Sequence, residues 1–185
     1  MPYWIWFLRI IDSKHFDKSI FVEYFPFMKP VTLKELKQEL SVRPAKELLE
    51  ICLRLSKFKK ENKELLTYLL FESDDEKAYI EGVKKEIDEQ FELINKKSPY
   101  IIKKQVRKIL TTTKRQVKYS QKKETEVELL LHFCKKLKGF SPPIRYNPRL
   151  TNMYTAQLEL IQKKITALHE DLQFDYGNEL EDLLL

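Results

Sequence analysis

From Thr32 onward, apolar positions recur at intervals of three and four, as in helices that bury one face. Thr32 and Glu35 make a capping-box pattern, with Leu33, Leu36 and Leu40 on one face behind it. Pro44 suits the first turn of a second helix, where its missing N–H would have no partner, and Leu48, Ile51, Cys52 and Leu55 follow at helical spacing. Residues 59–62 are polar without a Gly or Pro to mark a break, and Leu65, Leu66, Leu69 and Leu70 resume the pattern. Ser73 and Glu76 make a second capping-box pattern ahead of Ile80, Val83, Ile87, Phe91 and Ile94, a single buried stripe.

Ser98 and Pro99 open a helix that the pattern carries to about Tyr119. Ser120 or Thr125 is placed to cap the next, which holds Val127, Leu130, Leu131, Cys134 and Leu137 and reaches Gly139 at its C-terminal cap. Residues 140–146 carry the one strong loop signal. Asn147 and Pro148 then start what reads as the longest helix, with Leu150, Tyr154, Leu158, Ile161, Ile165, Leu168 and Leu172 spaced near 3.5 over about 27 residues, and Gly177 at its end. That stripe fits a helix packed along a bundle, or else a seam through which residues 150–172 form a homodimer. The expectation is an all-α fold: a compact multi-helix bundle or short α-solenoid-like array of about six to seven helices with a long C-terminal helix. One internal echo, Leu48 to Phe58 against Leu130 to Phe140 with Cys52 and Cys134 in register, raises a duplicated hairpin as a possibility. Both cysteines sit in leucine-rich helical patterns and read as small buried hydrophobes.

The first 30 residues break the pattern and form an extension to a single domain over 31–185. They hold nine of the 22 aromatics, among them Tyr3, Trp4, Trp6, Phe7, Phe16 and Phe21. Arg9 interrupts a short apolar run and no small-residue cleavage site follows, so a secretory signal does not fit. Three readings remain: an aromatic clasp on the domain, an interfacial membrane contact, or non-native sequence ahead of a natural start at Met28. No window approaches the ~20 apolar residues of a membrane span.

Composition removes several activities. Three glycines in 185 residues leave no room for a glycine-rich phosphate loop or a dinucleotide fingerprint. Two cysteines make no disulfide framework, and free thiols point to a cytoplasmic protein. His15, His132 and His169 have no metal-ligand spacing, and Glu124, Glu126 and Glu128, two apart, do not converge on one helix face. No catalytic set is legible, an enzyme is not expected, and neither a cofactor nor a metal is called for.

Charge changes the picture more. The chain carries a net +6 and a pI near 9.1. By segment, residues 1–94 carry −2, residues 95–123 carry +11 with no acid, residues 124–164 carry +3 and residues 165–185 carry −6 with no Lys or Arg. On a helical wheel for the helix after Pro99, Ile102, Val106, Ile109, Leu110, Thr113 and Val117 fill one arc. Lys103, Lys104, Arg107, Lys108, Lys114, Arg115 and Lys118 fill the other. Like charges at i, i+4 cost a few tenths of a kcal/mol per pair, and no acid dilutes them here. Three readings stand: a solvated face, a face balanced internally by the acids at 170–182 or around Glu72 and Glu76, or a face met by an external anion, namely nucleic acid, an anionic membrane surface or an acidic protein. Tyr100 and Tyr119 border the stripe as possible stacking rings.

From Leu33 on, the organisation resembles a family of small all-helical bacterial proteins of unknown function. The resemblance lies in the opening Leu33 to Leu36 helix, the Tyr68 to Leu70 segment and the lysine-rich helix after Pro99. It continues through the Leu129 to Phe133 helix and the final helix with Met153 and Tyr154 near its start. It implies an all-helical cytosolic protein and no particular activity. The leading functional expectation is a protein-interaction scaffold or adaptor with a protein partner. The alternative is a nucleic-acid-associated protein that binds phosphates through the helix at 99–119.

Overall fold

The computed structural model describes residues 29–184, so the aromatic segment 1–27 lies outside the described residues. The described residues fall into two units, divided after Cys52. In the first, helix α1 (Leu33–Ser41) starts with the capping box that the sequence predicts. The Thr32 hydroxyl accepts from the Glu35 N–H, and the Glu35 carboxylate accepts from the Thr32 N–H at 2.8 Å. Helix α2 (Ala45–Phe58) follows and crosses the division. No described residue of the first unit is buried.

The second unit continues with α3 (Lys60–Thr67) and a π-helical turn (Tyr68–Glu72). Five longer helices follow: α4 (Glu76–Glu92), α5 (Pro99–Ser120), α6 (Lys123–Lys138), α7 (Pro148–Ile165) and α8 (Glu170–Leu184). Helix α6 is apolar around most of its circumference, and such a helix is stable only when surrounded. It packs against α4, α5, α7 and α8, with Val127, Leu129, Leu130, Phe133, Cys134 and Leu137 essentially inaccessible. Phe91 of α4 meets Phe133 and Phe140 at ring separations of 5.6 and 6.1 Å.

All described secondary structure is helical, with eight α-helices rather than six or seven. The long final helix is two: the stretch from Asn147 ends at Ile165, and α8 begins at Glu170. Burial explains the break. Turning the chain at residues 166–169 keeps Leu168 buried and folds α8 back onto α6 and α7, where Leu180 and Leu183 enter the core. The seam residues Leu150, Leu158, Ile161 and Ile165 are buried in this same core. Gly177 lies inside α8 and does not terminate it.

Caps also differ. The Asp75 side chain caps α4 by accepting from the Ala78 N–H, whereas the Ser73 hydroxyl donates to the Leu69 carbonyl. Neither Ser120 nor Thr125 caps α6, whose N-cap Lys122 makes no side-chain cap bond. Gly139 has an ordinary φ of −78°, and Gln121 instead takes the left-handed conformation, φ 59°, at the end of α5. Cys134 is buried as its register predicts, but Cys52 is exposed, so the two halves of the internal echo occupy unlike environments.

Candidate functional site

The basic stripe depends on the way α5 is seated. Ser98 caps it by accepting from the Ile101 N–H, and Pro99 starts it. Ile102, Val106, Ile109, Leu110 and Thr113 turn inward against α4 and α6. The Thr113 hydroxyl satisfies itself on the Ile109 carbonyl at 3.0 Å, so the buried face carries no unpaired polar group there. That leaves Lys104, Arg107, Lys108 and Lys118 exposed and Lys103 and Lys114 half-buried. Lys103 to Lys118 spans ~22 Å of helix.

Arg115 departs from the rest. Its Nε lies 3.2 Å from Glu64 and its Nη1 3.5 Å from Glu61, both on α3. The Nε contact lacks hydrogen-bond geometry, so the pair is held by charge. Glu64 also accepts from Tyr119 at 2.9 Å and pairs with Lys60 at 3.1 Å. Burial raises the Glu64 carboxyl, and the hydrogen bonds from Lys60 and Tyr119 with the charge of Arg115 outweigh it and hold the group below its ordinary range. Tyr119 is itself buried, its hydroxyl pushed up to about 12 by burial and by Glu64, so its ring is not a free stacking surface.

None of the acids expected to face the stripe pairs with it among the described residues. Among the described residues, Lys103, Lys104, Arg107, Lys108, Lys114 and Lys118 have no carboxylate within 4.0 Å. Helix α8, with Glu170, Asp171, Asp175, Glu179, Glu181 and Asp182, packs on α6 and α7. Its C-terminal carbonyls are met by Lys138, whose Nζ donates to Asp182 O at 2.8 Å and to Leu183 O at 3.4 Å. Glu76 is committed to a second centre, where Lys122 lies 3.0 Å from its Oε2.

That centre was not legible from spacing. The Glu76 carboxylate accepts from the hydroxyls of Tyr68 at 2.8 Å, Ser120 at 2.5 Å and Thr125 at 2.6 Å. It thereby ties the π-helical turn, the start of α4, the end of α5 and the start of α6. Burial raises the Glu76 carboxyl, but three hydroxyl donors and the Lys122 ammonium reverse this and take it down to about 2. Ser120 and Thr125 look like caps in the sequence, and only tertiary packing turns both toward Glu76 Oε1.

His132 and several acids on α4 and α6 pair with neighbouring charges. His132 Nε2 lies 2.6 Å from Asp88, which also takes Lys136 at 2.8 Å. Glu128 pairs with Lys84 at 2.6 Å and Glu126 with Lys164 at 2.7 Å, while Glu124 is exposed. The exposed His169 lies 3.5 Å from the exposed Asp171. No group of three or more His, Cys, Asp or Glu among the described residues is arranged to hold a metal ion, and no described helix is long and apolar enough to cross a membrane. No protein-family model matches the chain, and neither the curated proteins nor the solved structures contain a match to it.

Proposed function

We propose that this is a non-catalytic helical protein that binds nucleic acid through the exposed stripe of α5. One observation carries the reading: six cations lie along one side of one helix with no carboxylate among the described residues beside them. The strongest competing reading, neutralisation by the acidic C-terminus, loses support because α8 is packed on α6 and α7. Keeping Lys103 beside Arg107, Lys104 beside Lys108 and Lys114 beside Lys118 costs a few tenths of a kcal/mol per pair. A phosphate backbone turns that cost into binding, because each neutralised phosphate releases condensed counterions. The free thiols Cys52 and Cys134 favour the cytoplasm as the place where this happens.

Titration of a labelled oligonucleotide at rising salt tests the reading. With six cations engaged on a single strand, log affinity should fall against log salt with a slope near −4. Lys104→Glu combined with Lys108→Glu should lower affinity and flatten the slope. Absence of binding at about 50 mM salt refutes the reading, as does preferential binding to phosphatidylserine vesicles.

A second reading, a protein-interaction scaffold, is favoured by the first unit. Leu33, Leu36 and Leu40 of α1 and Leu49 and Ile51 of α2 are exposed, Leu33 at 85%. Lys34, Lys37, Glu35 and Glu39 flank the apolar face of α1 with balanced charge, which suits pairing with the same face of a second copy. Sedimentation should then find a dimer that is indifferent to salt and that Leu36→Asp dissociates.

A further inference from the structure

At the N-terminal end of the stripe, a cavity of about 420 Å³ opens between the first turn of α5 and the approach to α7. Tyr100 and Lys103 line one side, Tyr146 and Arg149 the other, with Pro99 and Pro148 between them, and no carboxylate lines it. The two tyrosines are 67% and 72% exposed, unlike Tyr68, Tyr79, Tyr119 and Tyr154, which are buried. Cations stand over both rings: Lys103 Nζ is 5.3 Å from the Tyr100 centroid, and the Arg145 guanidinium is 5.0 Å from that of Tyr146. Both bordering helices begin with proline at this cleft, so two helix N-termini, which favour anions, meet the same space.

Exposed aromatic rings, cations and an absence of acids suit a ligand that offers a flat π-face and negative charge together. A nucleotide is such a ligand, and it must be unpaired, because bases in a duplex are stacked on one another and keep their faces from protein rings. Lys103 belongs to both cleft and stripe, so a strand leaving the cleft runs directly onto Lys104, Arg107 and Lys108. We infer that the cleft seats an unpaired nucleotide of a single strand, its base on Tyr100 or Tyr146 and its phosphates at Lys103 and Arg149. This rests on the nucleic-acid reading above and narrows it to single strands. The resident cations do not block the site. An exposed cation–π contact contributes roughly twofold to fivefold, whereas a base stacked on an aromatic ring contributes roughly fivefold to more than a hundredfold.

The test compares a fluorescein-labelled oligothymidine of about 16 nucleotides with a blunt duplex of the same length, by anisotropy at matched salt. The single strand should bind more tightly. Tyr100→Ala and Tyr146→Ala should each weaken single-strand binding about tenfold, leaving duplex binding and the salt slope unchanged. Tyr100→Phe and Tyr146→Phe, which keep the ring, should retain the parent affinity. Lys118→Glu, at the far end of α5, should weaken both ligands and reduce the slope. If both ligands bind equally and the alanine variants match the parent, the cleft is not a base site although the stripe still binds nucleic acid. If neither ligand binds at about 50 mM salt, the nucleic-acid reading falls and this inference with it.

Discussion

Glu76 shows how far one side chain's environment sets its contribution. Its folded carboxyl sits at about 2 against an unfolded value near 4.5. A depressed carboxyl stabilises the fold above its unfolded value and loses that contribution as pH falls toward its folded value. The contribution, on the order of 3 kcal/mol, should therefore be whole at neutral pH and vanish between about pH 5 and 2. Glu76→Gln should lower stability at pH 7 by about that amount in urea melts and should flatten the acid limb; an unchanged acid limb would place the acid sensitivity elsewhere. At the thiols, burial pushes Cys134 up to about 12, while Cys52 is exposed. A thiol reagent should modify Cys52 in the native protein and reach Cys134 only on unfolding. Rapid modification of both would mean that α6 opens readily. The sequence presents the two cysteines in the same register, and nothing local to either tells them apart.

At the scale of the element, caps and apolar stripes were legible where helix ends are governed by neighbouring residues. Thr32 with Glu35, Ser98 with Pro99 and Asn147 with Pro148 all begin helices as their chemistry predicts. Ser120 and Thr125 were not legible as Glu76 donors, because a hydroxyl that resembles a cap binds a carboxylate 44 or 49 residues away once the helices pack. Gly177 misled for a related reason: glycine raises the odds of a helix end, but burial of Leu180 and Leu183 carries α8 through it. Its backbone is not left-handed, and a methyl group there would meet nothing within 4 Å. Gly177→Ala should therefore raise stability by roughly 0.5–1 kcal/mol, read as a higher urea midpoint; destabilisation would show that the glycine is needed for the path of α8.

At the scale of the whole molecule, stability and the proposed function oppose one another on α5. Lys104→Glu would place an acid one turn ahead of Lys108, the favourable orientation for a helical pair, and remove repulsion of the same size. It should raise the melting temperature slightly while weakening nucleic-acid binding, and a variant both less stable and weaker in binding would argue against a stripe kept for a ligand. The amino-acid sequence alone determined the helical character of the described residues, the starts of α1, α2, α5 and α7, the inward face of α5 and the concentration of positive charge on its other face. These follow from periodicity and from side chains acting within one or two turns. Only the tertiary structure decided that the last apolar stripe folds into two helices. It also decided that the acidic C-terminus packs on α6 and α7, that Arg115 turns to α3, and that Tyr146 joins Tyr100 at one cleft. Each of these pairs groups far apart in the chain, and their meeting depends on how buried faces stack, which no local spacing encodes.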